Sequence, residues 1–141
     1  MQLDSKFRQF LPESRRIVVK IGTRVLADKS GKPTLPRIKN IVSQVAALSR
    51  AGYEVALVSS GAIGAGMATL GIKSRPTEVP DLQMCAAVGQ ARLITMYEEL
   101  FRAQKIRIGQ VLLTHDDFSS RIRTGNARRT MEHMFRSGVV P

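Results

Sequence analysis

The sequence has 141 residues with a single cysteine and no tryptophan, and its 22 lysines and arginines stand against 11 acidic residues, a formal net charge of +11. A domain of this length buries a real core without covalent staples, Cys85 has no partner for an internal disulfide, and no apolar run reaches the length of a membrane span or of a signal-peptide core, so the expectation is a soluble, cytoplasmic protein. The cationic surplus calls for an anionic ligand, yet the scarcity of aromatic side chains among the basic residues argues against single-stranded nucleic acid.

Residues 1–15 mix charge with aromatics and read as a tail or short leading helix that ends near Pro12. Ile17, Val18, Val19 and Ile21 then form a nearly continuous β-branched run, which predicts a strand buried on both faces. Gly22 ends it, where the missing Cβ lets the backbone turn and come close to a ligand, and Lys20 lies two residues earlier. A cation and bare backbone at a strand's end suit a phosphate. The same residues also fit a core strand whose lysine snorkels to solvent.

The turn formers of Asp28 to Pro36 predict an exposed loop, followed by a helix that starts at Thr34 or Leu35 with Pro36 in its first turn. Ile38, Ile41, Val42, Val45 and Leu48 recur at helical spacing, Gly52 closes the helix, and Glu54 to Ser59 returns as a second buried strand. Strand, helix and strand joined by short links predict a right-handed crossover between parallel strands. Ser59, Ser60, Gly61 and the small residues to Gly66 then open a helix at the second strand's carboxyl end, where free amide hydrogens and the helix dipole favour an anion.

Gly71 to Pro80 reads as a linker. From Asp81 a long helix is expected to about Gln104, with Leu82, Cys85, Gly89, Leu93, Met96 and Leu100 on one face. Arg107 to Leu113 reads as a third strand, and Thr114 to Gly125 as a polar, irregular stretch. Asn126 is placed to cap a helix running to Arg136 with Met131, Met134 and Phe135 as its apolar positions, after which Gly138 gives way to strand-like residues from Val139. The alternation predicts an α/β fold, an αβα sandwich on a mostly parallel sheet.

Two common nucleotide motifs are excluded. The one Gly-Lys pair, Gly31-Lys32, is followed by proline and lacks the earlier P-loop glycine, and glycines 61, 64 and 66 run in the wrong order for a dinucleotide fingerprint. His115 and His133 have no neighbours at metal-ligand spacing, Asp116 and Asp117 read as solvated, Cys85 reads as core, and no metal ligand is assigned. Arg121 to Arg129 carries four arginines, which suit either a phosphate or partner clamp or a solvated helix start.

Several segments in order carry a resemblance. VVKIGT at 18–23, LVSSGAIGAG at 57–66, AAVGQARL at 86–93, GQVLLTHDDF at 109–118 and NAR at 126–128 closely resemble the glutamate 5-kinases, members of the amino acid kinase superfamily. The resemblance covers residues 16–141 and implies an αβα sandwich that uses ATP and magnesium to phosphorylate the side-chain carboxylate of L-glutamate, the first step of proline biosynthesis. By this resemblance Lys20 and Gly22 contact ATP, with Lys20 catalytic, while Ser60 and Gly61 bind glutamate. It further implies a homo-oligomer at full length, and places an asparagine- and aspartate-bearing glutamate motif, a second phosphate lysine, the adenine pocket and, in many members, an RNA-binding-like domain beyond Pro141. Residues 16–141 would then be the N-terminal portion of a kinase domain, inactive in isolation. The alternative is a small basic α/β module that binds nucleic acid or a protein partner.

Overall fold

β1 (Arg16–Ile21) and β2 (Glu54–Ser59) pair in parallel, with Arg16 opposite Glu54 and Ile21 opposite Ser59. The computed structural model describes residues 13–22, 25 and 34–141; the expected leading helix and most of the loop before Pro36 lie outside the described residues. Between the strands runs α1 (Leu35–Arg50), with Thr34 as its N-cap residue and proline in its first turn; Gly52 follows at φ +89°, a conformation that favours glycine. Its periodic face packs as the spacing predicts: Ile38, Val42 and Val45 are buried against the sheet, each such side chain contributing about 1.5–3 kcal/mol of apolar burial.

α2 (Ala62–Leu70) leaves the end of β2, and the long α3 (Val79–Ala103) returns along the sheet. The two helices pack backbone to backbone at Gly66 and Gly89, where an added Cβ would fall 1.8 Å from the carbonyl oxygens of Cys85 and Ala62 respectively. Glycine at both positions permits this approach. Cys85, Gly89, Leu93, Tyr97 and Phe101 form the buried stripe of α3.

β3 (Arg107–Ile108) and β4 (Val139–Val140) form a second parallel pair. The Leu57 N–H donates to the Pro141 carbonyl at 2.9 Å, so the chain next to β4 bonds to β2 and the pairs align in the order β1–β2–β4–β3. Val19, Ile21, Val55, Leu57 and Val140 join α1 and α3 in one core. Against the opposite face lies α5 (Arg121–Arg136), whose Phe135 ring sits 4.7 Å beneath the Arg16 guanidinium. Helices on both faces of a parallel sheet make the expected αβα arrangement. No helix among the described residues is long and apolar enough to cross a membrane.

Four local expectations are corrected. β1 and β2 are not buried on both faces: Val18 is 64% and Val58 48% exposed, because α5 reaches only part of their outer face while α1 and α3 cover the inner one. The third strand stops at Ile108 and the ladder adds only the Gly109 N–H to the Val140 carbonyl, since β4 supplies two residues for pairing. α3 begins at Val79, two residues before Asp81. The stretch after Thr114 is helical, as α4 (His115–Ser119) and then α5, which is capped by Ser120 accepting from the Arg123 N–H at 3.4 Å; Asn126 is not its cap but an interior residue. Gly125, the end of the expected irregular stretch, lies inside α5, where an added Cβ would meet no described residue within 4 Å.

Candidate functional site at the paired strand ends

Parallel pairing sets the carboxyl ends of β1 and β2 side by side, and with them the two residue sets that the sequence marks separately. Lys20 is opposite Val58 in the ladder, and Ile21 opposite Ser59. The Ser60 hydroxyl donates to the Ile21 carbonyl at 3.0 Å, so the turn that opens α2 is hooked onto the residue between Lys20 and Gly22. Lys20 is exposed, and alternation along β1 puts its side chain on the same face as Val18, away from the core. At Gly22 an added Cβ would meet nothing within 4 Å among the described residues, so none of them requires a glycine there. The chain then turns, with the Val25 N–H bonded to the Gly22 carbonyl at 3.0 Å.

Gly61 is the N-cap of α2 at φ +113°, where a side chain would be strained, and its carbonyl accepts the first helical bond from Ala65 at 2.9 Å. Among the described residues no side chain caps this helix start, which leaves its leading amides open to solvent or ligand as far as those residues go. An exposed cation, bare backbone and a helix start thus converge on one edge of the sheet, a combination that receives anions.

Sequence reasoning placed Ser59 at the head of the small-residue run but passed over Tyr97, its partner beside this edge. Ser59 and Tyr97 hydroxyls lie 2.8 Å apart, and the Ser59 hydroxyl also reaches the Ser60 carbonyl at 3.3 Å. Burial pushes the Tyr97 hydroxyl pKa up from its usual value, partly opposed by the bond to Ser59. A spacing of four from Cys85 through Gly89, Leu93 and Tyr97 to Phe101 was the available clue, since a tyrosine on a buried stripe needs a polar partner. A crevice of about 490 Å³ runs beside β2, lined among others by Val58, Ser59, Gln90, Tyr97, Phe118 and Pro141.

The remaining candidates lie elsewhere. The arginines of 121–129 sit on α5 or its first turn, and three have partners within the chain: Arg123 with Asp117 at 3.9 Å, Arg128 with Glu132 at 3.0 Å and Arg129 with the Asn126 side chain at 2.6 Å. Asp117 closes a capping box, accepting from the Thr114 N–H and hydroxyl at 2.6 and 2.7 Å, which holds its carboxyl below the usual range. Among the described residues no three His, Cys, Asp or Glu side chains cluster to hold a metal ion.

Residues 15–141 match the amino acid kinase family. The chain is 48% identical over 134 residues to glutamate 5-kinase of Teredinibacter turnerae, 44% to that of Moorella thermoacetica and 46% to that of Saccharophagus degradans. Each match covers 95% of this chain and 35–36% of the relative, so the chain spans about a third of the length of these curated relatives. With the family match running from the residue before β1 to the last residue of the sequence, the chain belongs to the amino acid kinase family.

Proposed function

We propose that this chain contributes to an ATP-dependent kinase that phosphorylates the side-chain carboxylate of L-glutamate, the first step of proline biosynthesis. One observation carries the reading: the 3.0 Å bond from Ser60 to the Ile21 carbonyl fastens the turn marked for glutamate to the strand end marked for ATP. In-line transfer needs its two anionic reactants held next to each other, and adjacent parallel strand ends supply that adjacency. The acceptor carboxylate is ionised at neutral pH, so the step needs no general base. What it needs is relief of repulsion between two anions. Lys20 offers a cation on the β1 side, and Gly22 a backbone that no described residue would crowd, for phosphate oxygens. Ser60 and Gly61, with the first amides of α2, offer hydrogen bonds to the amino acid.

The fit to ATP rests on Lys20 and on Gly22, where an added Cβ would meet no described residue; ATP supplies the phosphoryl group. Magnesium enters with the nucleotide's phosphates in this class of reaction, and no residue described here is assigned to it. Cytoplasmic location and assembly into a homo-oligomer belong to the same proposal.

The test uses these 141 residues joined to the C-terminal portion of the Teredinibacter turnerae relative, referred to below as the completed chain. It should form an acyl phosphate, trapped as the hydroxamate, only when both ATP and glutamate are present. Hydroxamate formation without glutamate dependence, or none, would overturn the reading. In parallel, titration with an unrelated oligonucleotide at two salt concentrations tests the basic-module alternative: tight binding that weakens steeply with salt and requires the α5 arginines would favour that alternative.

A further inference from the structure

We propose that Tyr97 is a positioning residue for the glutamate side of the site, holding the β2–α2 turn through Ser59 without touching substrate; the inference rests on the kinase reading. Tyr97 is 5% exposed and packs in the core beside Phe101, ring centroids 6.4 Å apart, so its hydroxyl is placed by rigid packing rather than by solvent. A phenylalanine would fill the same volume. The hydroxyl serves one visible partner, Ser59, which is 38 positions away in sequence and immediately precedes Ser60.

The bonds form a chain. When the Ser59 proton goes to the Ser60 carbonyl, Tyr97 is the donor to Ser59, and the peptide joining Ser60 to Gly61 is fixed from the core side. The Ser60 hydroxyl fixes the same turn from the β1 side through Ile21. About two helical turns before Tyr97, Gly89 of the same helix lies against the Ala62 carbonyl, at the first residue of α2. α3 therefore grips the turn before and after Gly61, at Ser59 and at Ala62.

The arrangement predicts an effect confined to the amino-acid substrate. In the completed chain, Tyr97→Phe and Ser59→Ala should each raise the KM for glutamate about fivefold, the scale of one lost neutral hydrogen bond, and leave the KM for ATP within about twofold. The double variant should be no worse than the poorer single one, because both remove the same bond, and Ser59→Thr, which keeps a hydroxyl, should restore normal values. Equal rises in both KM values, additive losses, or an effect explained by a smaller folded fraction would overturn the proposal. Amide hydrogen exchange supplies a readout independent of turnover: Tyr97→Phe should speed exchange at the Ala65 amide, which donates to the Gly61 carbonyl at 2.9 Å, relative to the later amides of α2. If the completed chain proves inactive towards glutamate, the kinase reading falls, and exchange then decides the positioning claim by itself, faster exchange supporting it and unchanged exchange overturning it.

Discussion

Replacing Gly89 by alanine puts the close packing of α2 on α3 to a quantitative test. The new Cβ would stand 1.8 Å from the Ala62 oxygen, 2.4 Å from the Gly66 nitrogen and 2.8 Å from the Ala62 carbonyl carbon. Ordinary contact begins at 3.4 Å, so α2 would have to retreat by about 1.6 Å, and since the obstructing atoms are backbone no side chain can rotate aside. Overpacking of this kind costs typically 1–3 kcal/mol, and the hard contact on both sides of the new methyl sets it near the upper end, about 3 kcal/mol. Better helix propensity of alanine returns about 1 kcal/mol, so the net loss is roughly 2 kcal/mol. Urea denaturation of the completed chain measures it. Gly125→Ala is the control: that glycine is interior to α5, has nothing within 4 Å of a Cβ, and should gain about 0.5–1 kcal/mol from propensity alone. A Gly89→Ala protein as stable as the parent, or one shifted in the same direction as Gly125→Ala, would refute the packing argument.

Lys20→Ala in the completed chain should lower kcat about a hundredfold with the fold retained, because the side chain is exposed and its proposed task is electrostatic; near-normal turnover would return Lys20 to the role of a snorkelling strand lysine. Asp117 has a folded pKa below its unfolded value, so its cap on α4 is intact above the unfolded pKa of about 3.9 and is lost as pH falls through the lower folded value. Carbon-13 titration of its carboxyl should show a midpoint below about 3.9, and one at or above that value would contradict the capping box. The exposed Val18 and Val58 predict that the 141 residues alone bind a hydrophobic dye and that Val18→Thr reduces the signal; a chain that binds no dye would show that this face is covered.

The β1–α1–β2 unit was legible because each signal there is local: β-branched runs, an apolar face with helical period, proline at the helix start and Gly52 at φ +89°. Gly61 was legible for a similar reason, since a run of small residues after a strand leaves little but a turn into a helix. What was missed depends on the third dimension. Whether Val18 is covered is decided by how far α5 extends over the sheet, which no spacing in β1 encodes. The length of β3 is set by β4, some thirty residues later, and not by the apolar run from Arg107 to Leu113. The cap falls to Ser120 rather than to Asn126 because the helix runs through Gly125, and a helix tolerates one interior glycine for about 1 kcal/mol once a better-placed cap exists. At the site, Lys20, Gly22, Ser60 and Gly61 were each picked out by residue type, but their convergence came from strand register, and Tyr97 became visible only through its 2.8 Å contact with Ser59.

The central claim is a division of labour, with ATP held on the β1 side and glutamate on the β2 side of one strand junction. Ser60→Ala in the completed chain tests it most directly, because the hydroxyl belongs to the β2–α2 turn yet bonds to β1 at the Ile21 carbonyl. Steady-state kinetics with each substrate varied in turn should show the KM for glutamate rising by about tenfold while the KM for ATP changes by less than about twofold. An equal rise for both substrates, or a rise for ATP alone, would contradict the division.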